Sequence, residues 1–472
     1  MRAITLRPAS LTPALAALVL CAAVGASISL RAGYAPLLIA GAAAALFAMR
    51  WRAGVVLLLI VLPFSGVPAF LAGSAGLGWR DVCVVAPLYL AFGLEMTRSR
   101  ERILPDLGIA IAALAVFAAL VLLQTLRAPN TLAGAIGARV WLAYIPMLAI
   151  GYQFVRSETD FALMLKLTAL LGLIPATIAI AECVLALRDG SFGPFENMYG
   201  AWNLSETQRF VVFTTDAGHL RIPRVPSTFT GVSQYFAFSL VAYAAALALA
   251  MRDGSVRWAA CALLLAAGAI ASGARAAYVA VPAITLLSCA LAGRPSSRML
   301  AAAAGSAALC VVASFAVADA APIARELPSH ALVTLNTSLE ELRSSFTFFG
   351  HGTGWDTNAA LRYGGVTEQR YVESWYAKAM LELGVVGLLA LAVALTALVR
   401  RAVGALRSSH LPANTRRMAA PILALVLVMM ALLVKGPYVD LDPMNVYFWL
   451  LLGALFALFR ASSGTHSARG VA

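Results

Sequence analysis

Glu373 stands in Val372-Glu373-Ser374-Trp375-Tyr376, where a long polar connection gives way to an apolar run. A carboxylate in partly desolvated surroundings becomes a better proton acceptor, suited to take the proton of an attacking hydroxyl. The same placement also fits an interfacial acid, solvated at a helix start where the dipole favours it. Arg275 lies in Ser272-Gly273-Ala274-Arg275, between two apolar runs with almost no loop to hold it. At the centre of a span a guanidinium costs about 2.5–3.5 kcal/mol on insertion scales, so it finds an anionic partner or snorkels to headgroups. Arg221 and Arg224 precede another apolar run, and Arg325, Arg343, Arg362 and Arg370 fall in the polar stretch before Glu373. The guanidinium fork binds a phosphate through two hydrogen bonds at once. Taken singly, each of these arginines also reads as a solvated surface group.

Other candidates are plainer. Gly350-His351-Gly352-Thr353-Gly354 has the glycine spacing of a phosphate cradle, yet no Lys-Ser/Thr follows it. The expectation is a tight turn, with His351 a possible alternative base. Asp440 and Asp442 fit either a divalent-ion site or two solvated loop acids, and Arg139 and Glu182 read as pairing partners inside the bundle. Glu382, nine residues after Glu373, falls about 180° around the helix and some 13 Å deeper, so it serves packing or polar bonding elsewhere. Gly384 and Gly387 on that helix suit the close approach of a neighbouring helix. The six cysteines show no CxxC spacing, so neither a metal site nor a disulfide framework is expected.

The elements that hold these residues follow from composition. Hydrophobic residues make up 61% of the 472 positions and charged ones 12%, with a mean hydropathy of +0.85. A soluble domain carries about twice that charged share. The apolar residues come in runs of about 17–25, the length of a helical span, and only helices satisfy their own backbone in lipid. The chain therefore reads as an all-α polytopic membrane protein with about 12–14 transmembrane helices. The spans are expected near 11–30, 35–49, 53–71, 79–96, 107–126, 133–155, 160–187, 231–251, 257–272, 275–292, 299–318, 376–399, 418–435 and 445–460. The net charge of +13 is almost all arginine, since Lys166, Lys378 and Lys435 are the only lysines. No compact basic domain accompanies it, so nucleic acid is not an expected partner.

Arginines concentrate in alternate short connections, among them Arg50 and Arg52, Arg98 to Arg102, and Arg400 to Arg417. By the positive-inside rule those connections, and both termini, lie in the cytoplasm. The two long connections, 188–230 and 319–375, then fall on the periplasmic side. Connections longer than about 15 residues usually serve a function, and both are expected to fold into the working face. In the second, Ser338 and Glu341 have capping-box spacing. Leu335, Leu339, Leu342 and Phe346 recur as in a helix lying flat on a membrane. Residues 1–159 read as N-terminal spans, 160–460 as the region with both loops, and 461–472 as a cytoplasmic tail.

In the order in which they occur, these motifs resemble the O-antigen ligase and O-antigen polymerase superfamily of bacterial membrane glycosyltransferases. That family shows His-Asn-x-x-Leu, then Glu-x-Gly-x-x-Gly, at the end of a long periplasmic loop. The corresponding stretches here are Glu373-Ser374-Trp375-Tyr376-Ala377 and Glu382-Leu383-Gly384-Val385-Val386-Gly387. Ser272-Gly273-Ala274-Arg275 is similar to its Ser-Arg pair, and Gly350-His351-Gly352 to its Gly-x-Gly turn. Arg224 to Gly231 resembles the approach to its preceding span, and Phe448 to Gly453 its last helix. The resemblance covers residues 160–460 and implies a GT-C-like fold in the bacterial inner membrane, working without metal or cofactor. It implies a glycan donor on undecaprenyl diphosphate and a glycan or lipid A–core acceptor. Glu373 would be the catalytic base, with Arg275, Arg224 and Arg343 on the departing diphosphate. Glu373 stands where ligases carry His, which favours a polymerase-like or exopolysaccharide role over a ligase. A lipid-linked oligosaccharide flippase or other transporter is the rival from another class, and a non-catalytic assembly scaffold a third reading.

Overall fold

The structure, a computed structural model, describes residues 35–99, 103–104, 107–128, 130–200, 210–215, 218–293, 305, 320–355 and 372–467. The expected span at 11–30 lies outside them, as does that at 299–318 apart from Gly305, together with residues 468–472 of the tail.

The chain is built of helices. They are α1 (Ala35–Ala48), α2 (Trp51–Val61), α3 (Val67–Ala72), α4 (Ala86–Ser99), α5 (Ile109–Thr125), α6 (Thr131–Leu142), α7 (Met147–Phe154) and α8 (Glu158–Asp189). After the first long connection come α9 (Val232–Asp253), α10 (Val256–Ala271) and α11 (Ala277–Ala292). The remainder are α12 (Ala320–Ser344), α13 (Trp375–Arg407), α14 (Ala413–Leu432) and α15 (Met444–Ser467). Among the described residues seven helical stretches are long and apolar enough to cross a membrane, and five more are apolar but shorter. All twelve coincide with expected spans.

Helix α9 is the axis of the bundle: 94% of its apolar window is buried, against α8, α10 and α14. An all-round apolar helix belongs in such a position. Helix α8 begins with a capping box, Ser157 Oγ accepting from Asp160 N at 3.1 Å while the Asp160 carboxylate accepts from Ser157 N. Gly190, in the left-handed conformation, ends it.

Three expected helices are interrupted. The span expected at 53–71 breaks after Val61 into a 3-10 turn at Leu62–Phe64 and the short α3, where Pro63 and Pro68 cannot continue an α-ladder. The span at 133–155 divides at Ala143–Pro146 into α6 and α7. Helix α13 carries one residue, Gly384, at φ 73° and ψ −177°. There the loop before it enters the break: Val385 N donates to Thr347 O at 2.9 Å, His351 N to Leu381 O at 2.9 Å and Gly352 N to Glu382 O at 3.1 Å. Gly384 thus makes room for a loop strand, where the sequence suggested a neighbouring helix; a methyl group there would collide with Phe348 O and Gly350 N.

The long connections are folded where described. The first holds a 3-10 segment, Gly193–Tyr199, and a two-stranded antiparallel hairpin of β1 (Phe210–Thr215) and β2 (Gly218–Pro223). Its register runs from Phe210 opposite Pro223 to Thr215 opposite Gly218. This hairpin lies in a connection and leaves the all-α character of the bundle unchanged. In the second connection one helix, α12, runs through Ser338, so no capping box starts there. No Gly or Pro separates Ser329 from Arg343, and nothing ends the helix earlier. Helix α15 likewise continues to Ser467, beyond the expected boundary at 460.

Candidate functional site

Glu373 immediately precedes Ser374, the N-cap of α13, whose Oγ accepts from Ala377 N at 3.4 Å. Two elements brace this corner. Trp375 N donates to Leu433 O at the end of α14, at 3.0 Å. Glu341 of α12 accepts from the backbone N–H groups of Glu373 and Ser374 at 3.4 and 3.0 Å. The Glu373 side chain is 47% exposed and pairs with Lys435, itself 42% exposed. Such an open pair is worth about 0.2–1 kcal/mol. The carboxylate is therefore reachable and can exchange its lysine for another donor. Its exposure matches the solvated interfacial acid, one of the two readings its position in the sequence allows.

Arg224 is half-buried within electrostatic reach of Tyr438 and Glu373. Burial lowers its pKa from the ordinary arginine value, and electrostatic attraction to the Tyr438 oxygen and the Glu373 carboxylate opposes that shift. Its backbone is pinned to the turn that carries Arg275: Val225 N donates to Ser272 O at 3.1 Å, and Gly273, at φ 71°, packs directly on Pro223 and Arg224. Arg275 itself sits in the last turn before α11, partly exposed, its carbonyl accepting from Tyr278 N. The segment 225–230 is wholly buried; Ser227 Oγ donates to Pro175 O at 2.7 Å and Thr228 Oγ1 to Pro63 O at 2.5 Å. These contacts tie the segment after Arg224 to α8 and to the 3-10 turn that follows α2. Arg343 is exposed on α12, two residues beyond Glu341. The side chains of Arg221 and Arg325, and all of Arg362 and Arg370, lie outside the described residues.

A second set of charges continues from this corner. Lys378, one turn after Ser374, pairs with Asp440 at 2.6 Å; the two side chains are 7% and 9% exposed. Asp440 also accepts from Trp375 Nε1 at 2.8 Å, and the Lys378 ammonium lies 5.1 Å from the Trp141 ring centroid. Trp141, Tyr144, Trp375 and Trp449 line a small crevice with Asp440 in its wall. Beyond Tyr144 lies Asp81, which pairs with Arg80 at 2.7 Å and with Arg139, while Arg80 also pairs with Asp442. Asp440 and Asp442 are accordingly neither solvated loop acids nor a divalent-ion pair: each is engaged by a buried cation.

The remaining candidates have structural work. Glu382, fully buried, accepts from Trp141 Nε1 at 2.7 Å. Glu182 is likewise buried and accepts the Tyr199 hydroxyl, which fastens the first long connection onto α8. The glycine run is a tight turn, with Gly350, Gly352 and Gly354 all at positive φ. Its contacts are with the protein itself: Thr353 Oγ1 donates to Gly134 O at 3.0 Å, and Gly354 rests on Ala133 and Gly137 of α6. His351 stacks on Trp355 at 5.6 Å and is braced by Leu381 rather than by Glu373's neighbours.

Lys435, Lys378, Asp81, Arg80 and Glu341 belong to this constellation and were not read from sequence as site residues. One signal was present. Of only three lysines in the chain, two sit here, each opposite a carboxylate. The chain matches no protein-family model and no curated protein.

Proposed function

We propose that this chain is a glycosyltransferase of the bacterial inner membrane, acting at the periplasmic face on glycan carried by undecaprenyl diphosphate. A polymerase-like role in O-antigen or exopolysaccharide assembly is preferred to a ligase attaching glycan to lipid A–core. Both termini are assigned to the cytoplasm. One observation carries the reading: an open carboxylate, Glu373, pairs with Lys435 and is electrostatically coupled to Arg224, whose neighbour Val225 is bonded to the turn that carries Arg275.

The chemistry that fits is inverting displacement without a metal. The acceptor hydroxyl gives its proton to Glu373 as its oxygen bonds to the anomeric carbon of the donor. The bond from that carbon to the diphosphate oxygen breaks, and the electron pair leaves with the diphosphate. Arg224 and Arg275, with Arg343 and now Lys435, would offset that growing charge, commonly the largest single contribution in such reactions. Lys435 also gives Glu373 its partner in the resting state.

Membranes containing the Glu373→Gln variant are expected to hold normal amounts of protein and to make no glycan-transfer product. Wild-type product from that variant would remove Glu373 from the mechanism. The glycans that accumulate in a deletion strain separate the two activities: loss of chain length indicates a polymerase, and finished polymer stranded on its lipid carrier indicates a ligase.

The interrupted helices favour a second reading, a lipid-linked oligosaccharide flippase, because transporters use broken helices at their substrate sites. Purified protein in proteoliposomes, scored in parallel for lipid flipping and glycan transfer, distinguishes the two.

A further inference from the structure

Helix α12 wears its polarity in an unusual arrangement. The side that packs on the bundle carries Ser338 and Ser345, both buried, with Glu341 and Leu342. Leu342 meets Val372, Ala377 and Leu381, and Glu341 holds the backbone of Glu373 and Ser374. Leu332, Leu335 and Leu339, by contrast, point away from the protein and are 48–63% exposed. At about 100° per residue these three leucines form one row. Asn336, Glu340 and Ser344 lie on the flank opposite the protein, and Arg343 at the border between leucines and polar flank. A helix in water turns its leucines inward and its serines outward. This one does the reverse along one strip.

The strip does not stop with the helix. Phe346, Phe348 and Phe349 follow it and are 59–64% exposed. Their loop is the one that enters the break at Gly384, nine residues into α13, about 13 Å along that helix from its start. The same loop is fastened to the end of α5: the Gln124 amide and Arg127 NH1 both donate to Phe349 O, the latter at 3.1 Å. There Leu122, Leu123 and Leu126 of that apolar helix are themselves exposed. The loop of the phenylalanines is thereby anchored at the end of a helix read as membrane-spanning, whose own leucines are exposed there. Exposed Arg127 and Arg343 border this surface, placed to reach lipid phosphates while their stems stay in apolar contact.

We propose that the strip from Leu332 to Phe349 is a lipid-binding surface that seats α12 in the outer leaflet, leucines and phenylalanines among the acyl chains and Arg127 and Arg343 at the headgroups. Amphipathic segments bind interfaces in this manner, through buried apolar area with basic residues at the border. Because Glu341 of the same helix holds the corner of Glu373, the seat also sets the height of that corner relative to the bilayer. The lipid contact does not depend on what reaction Glu373 serves, and its test reads no glycan chemistry.

The experiment uses full-length protein reconstituted in vesicles of phosphatidylethanolamine and phosphatidylglycerol. Leu339→Cys, Phe348→Cys and Glu340→Cys are each labelled with a nitroxide, and the signal of labelled wild-type protein is subtracted. Labels at 339 and 348 are expected to collide several-fold more often with oxygen than with a water-soluble nickel chelate, and the label at 340 to show the opposite preference. Leu335→Cys and Phe346→Cys replace any variant that fails to accumulate. Equal access of the chelate to all three sites would mean an arm held in water and would overturn the proposal. Protection of 339 and 348 from both reagents would overturn it too, by showing a protein surface, such as a second copy of the chain, in place of lipid.

Discussion

At the scale of single residues the question is why Glu373 is paired yet available. Its partner Lys435 sits on the turn just beyond α14, and both groups keep contact with water, so the pair is weak and exchangeable. Lys435→Met is expected to leave the amount of protein in membranes unchanged while lowering transfer by about 10²-fold, the size of losing one charge-stabilising donor. Transfer at the wild-type rate would reduce Lys435 to a resting partner of Glu373. Arg224 is a sharper case, because it is half-buried and its forked geometry is not available to lysine. Arg224→Lys should therefore impair transfer even though the charge is kept, and a rate unchanged in membrane assays would count against its proposed place beside the diphosphate.

Among the elements, α13 matters most, and its break at Gly384 is what brings the loop of Phe346 to Thr353 against the bundle. The backbone there lies in a region open essentially to glycine alone, and other residues lose about 1–3 kcal/mol in it. Gly384→Ala adds a collision with Phe348 and Gly350. It should lower the thermal midpoint of the protein in detergent. A variant with the wild-type midpoint would show that the loop holds its place without the break. Glu341 performs the matching task for α12, capping the backbone that leads into α13.

Across the whole molecule, the charges form a chain of pairs that runs from Glu373 and Lys435, through Lys378 and Asp440, to Arg80, Asp81, Arg139 and Asp442. The middle pair is the buried one, and removing one partner of such a pair leaves an uncompensated charge, at about 3–5 kcal/mol. Lys378→Met alone should destabilise the bundle strongly in urea. Adding Asp440→Asn should recover part of the loss, because a neutral amide still accepts from Trp375 Nε1. Equal stability of the single and double variants would mean that Asp440 finds another cation, and the chain of pairs would be less coupled than its geometry suggests.

Much of this architecture was legible in the residues alone, for a simple reason. The need to satisfy backbone groups in an apolar medium turns long apolar runs into helices, and that need is local, so each described span lies where its run predicted. Glu373 and Arg275 stood out in the same way, as charges at the ends of such runs. Tertiary structure alone decided which charges meet. Lys435 lies 62 residues from Glu373, and Asp440 is equally distant from Lys378, so neither pairing leaves a trace in local spacing. The helix breaks were hidden for a related reason: Gly384 could have served a neighbouring helix or an incoming loop, and only the packing of residues 347–354 against α5, α6 and α13 selected the loop.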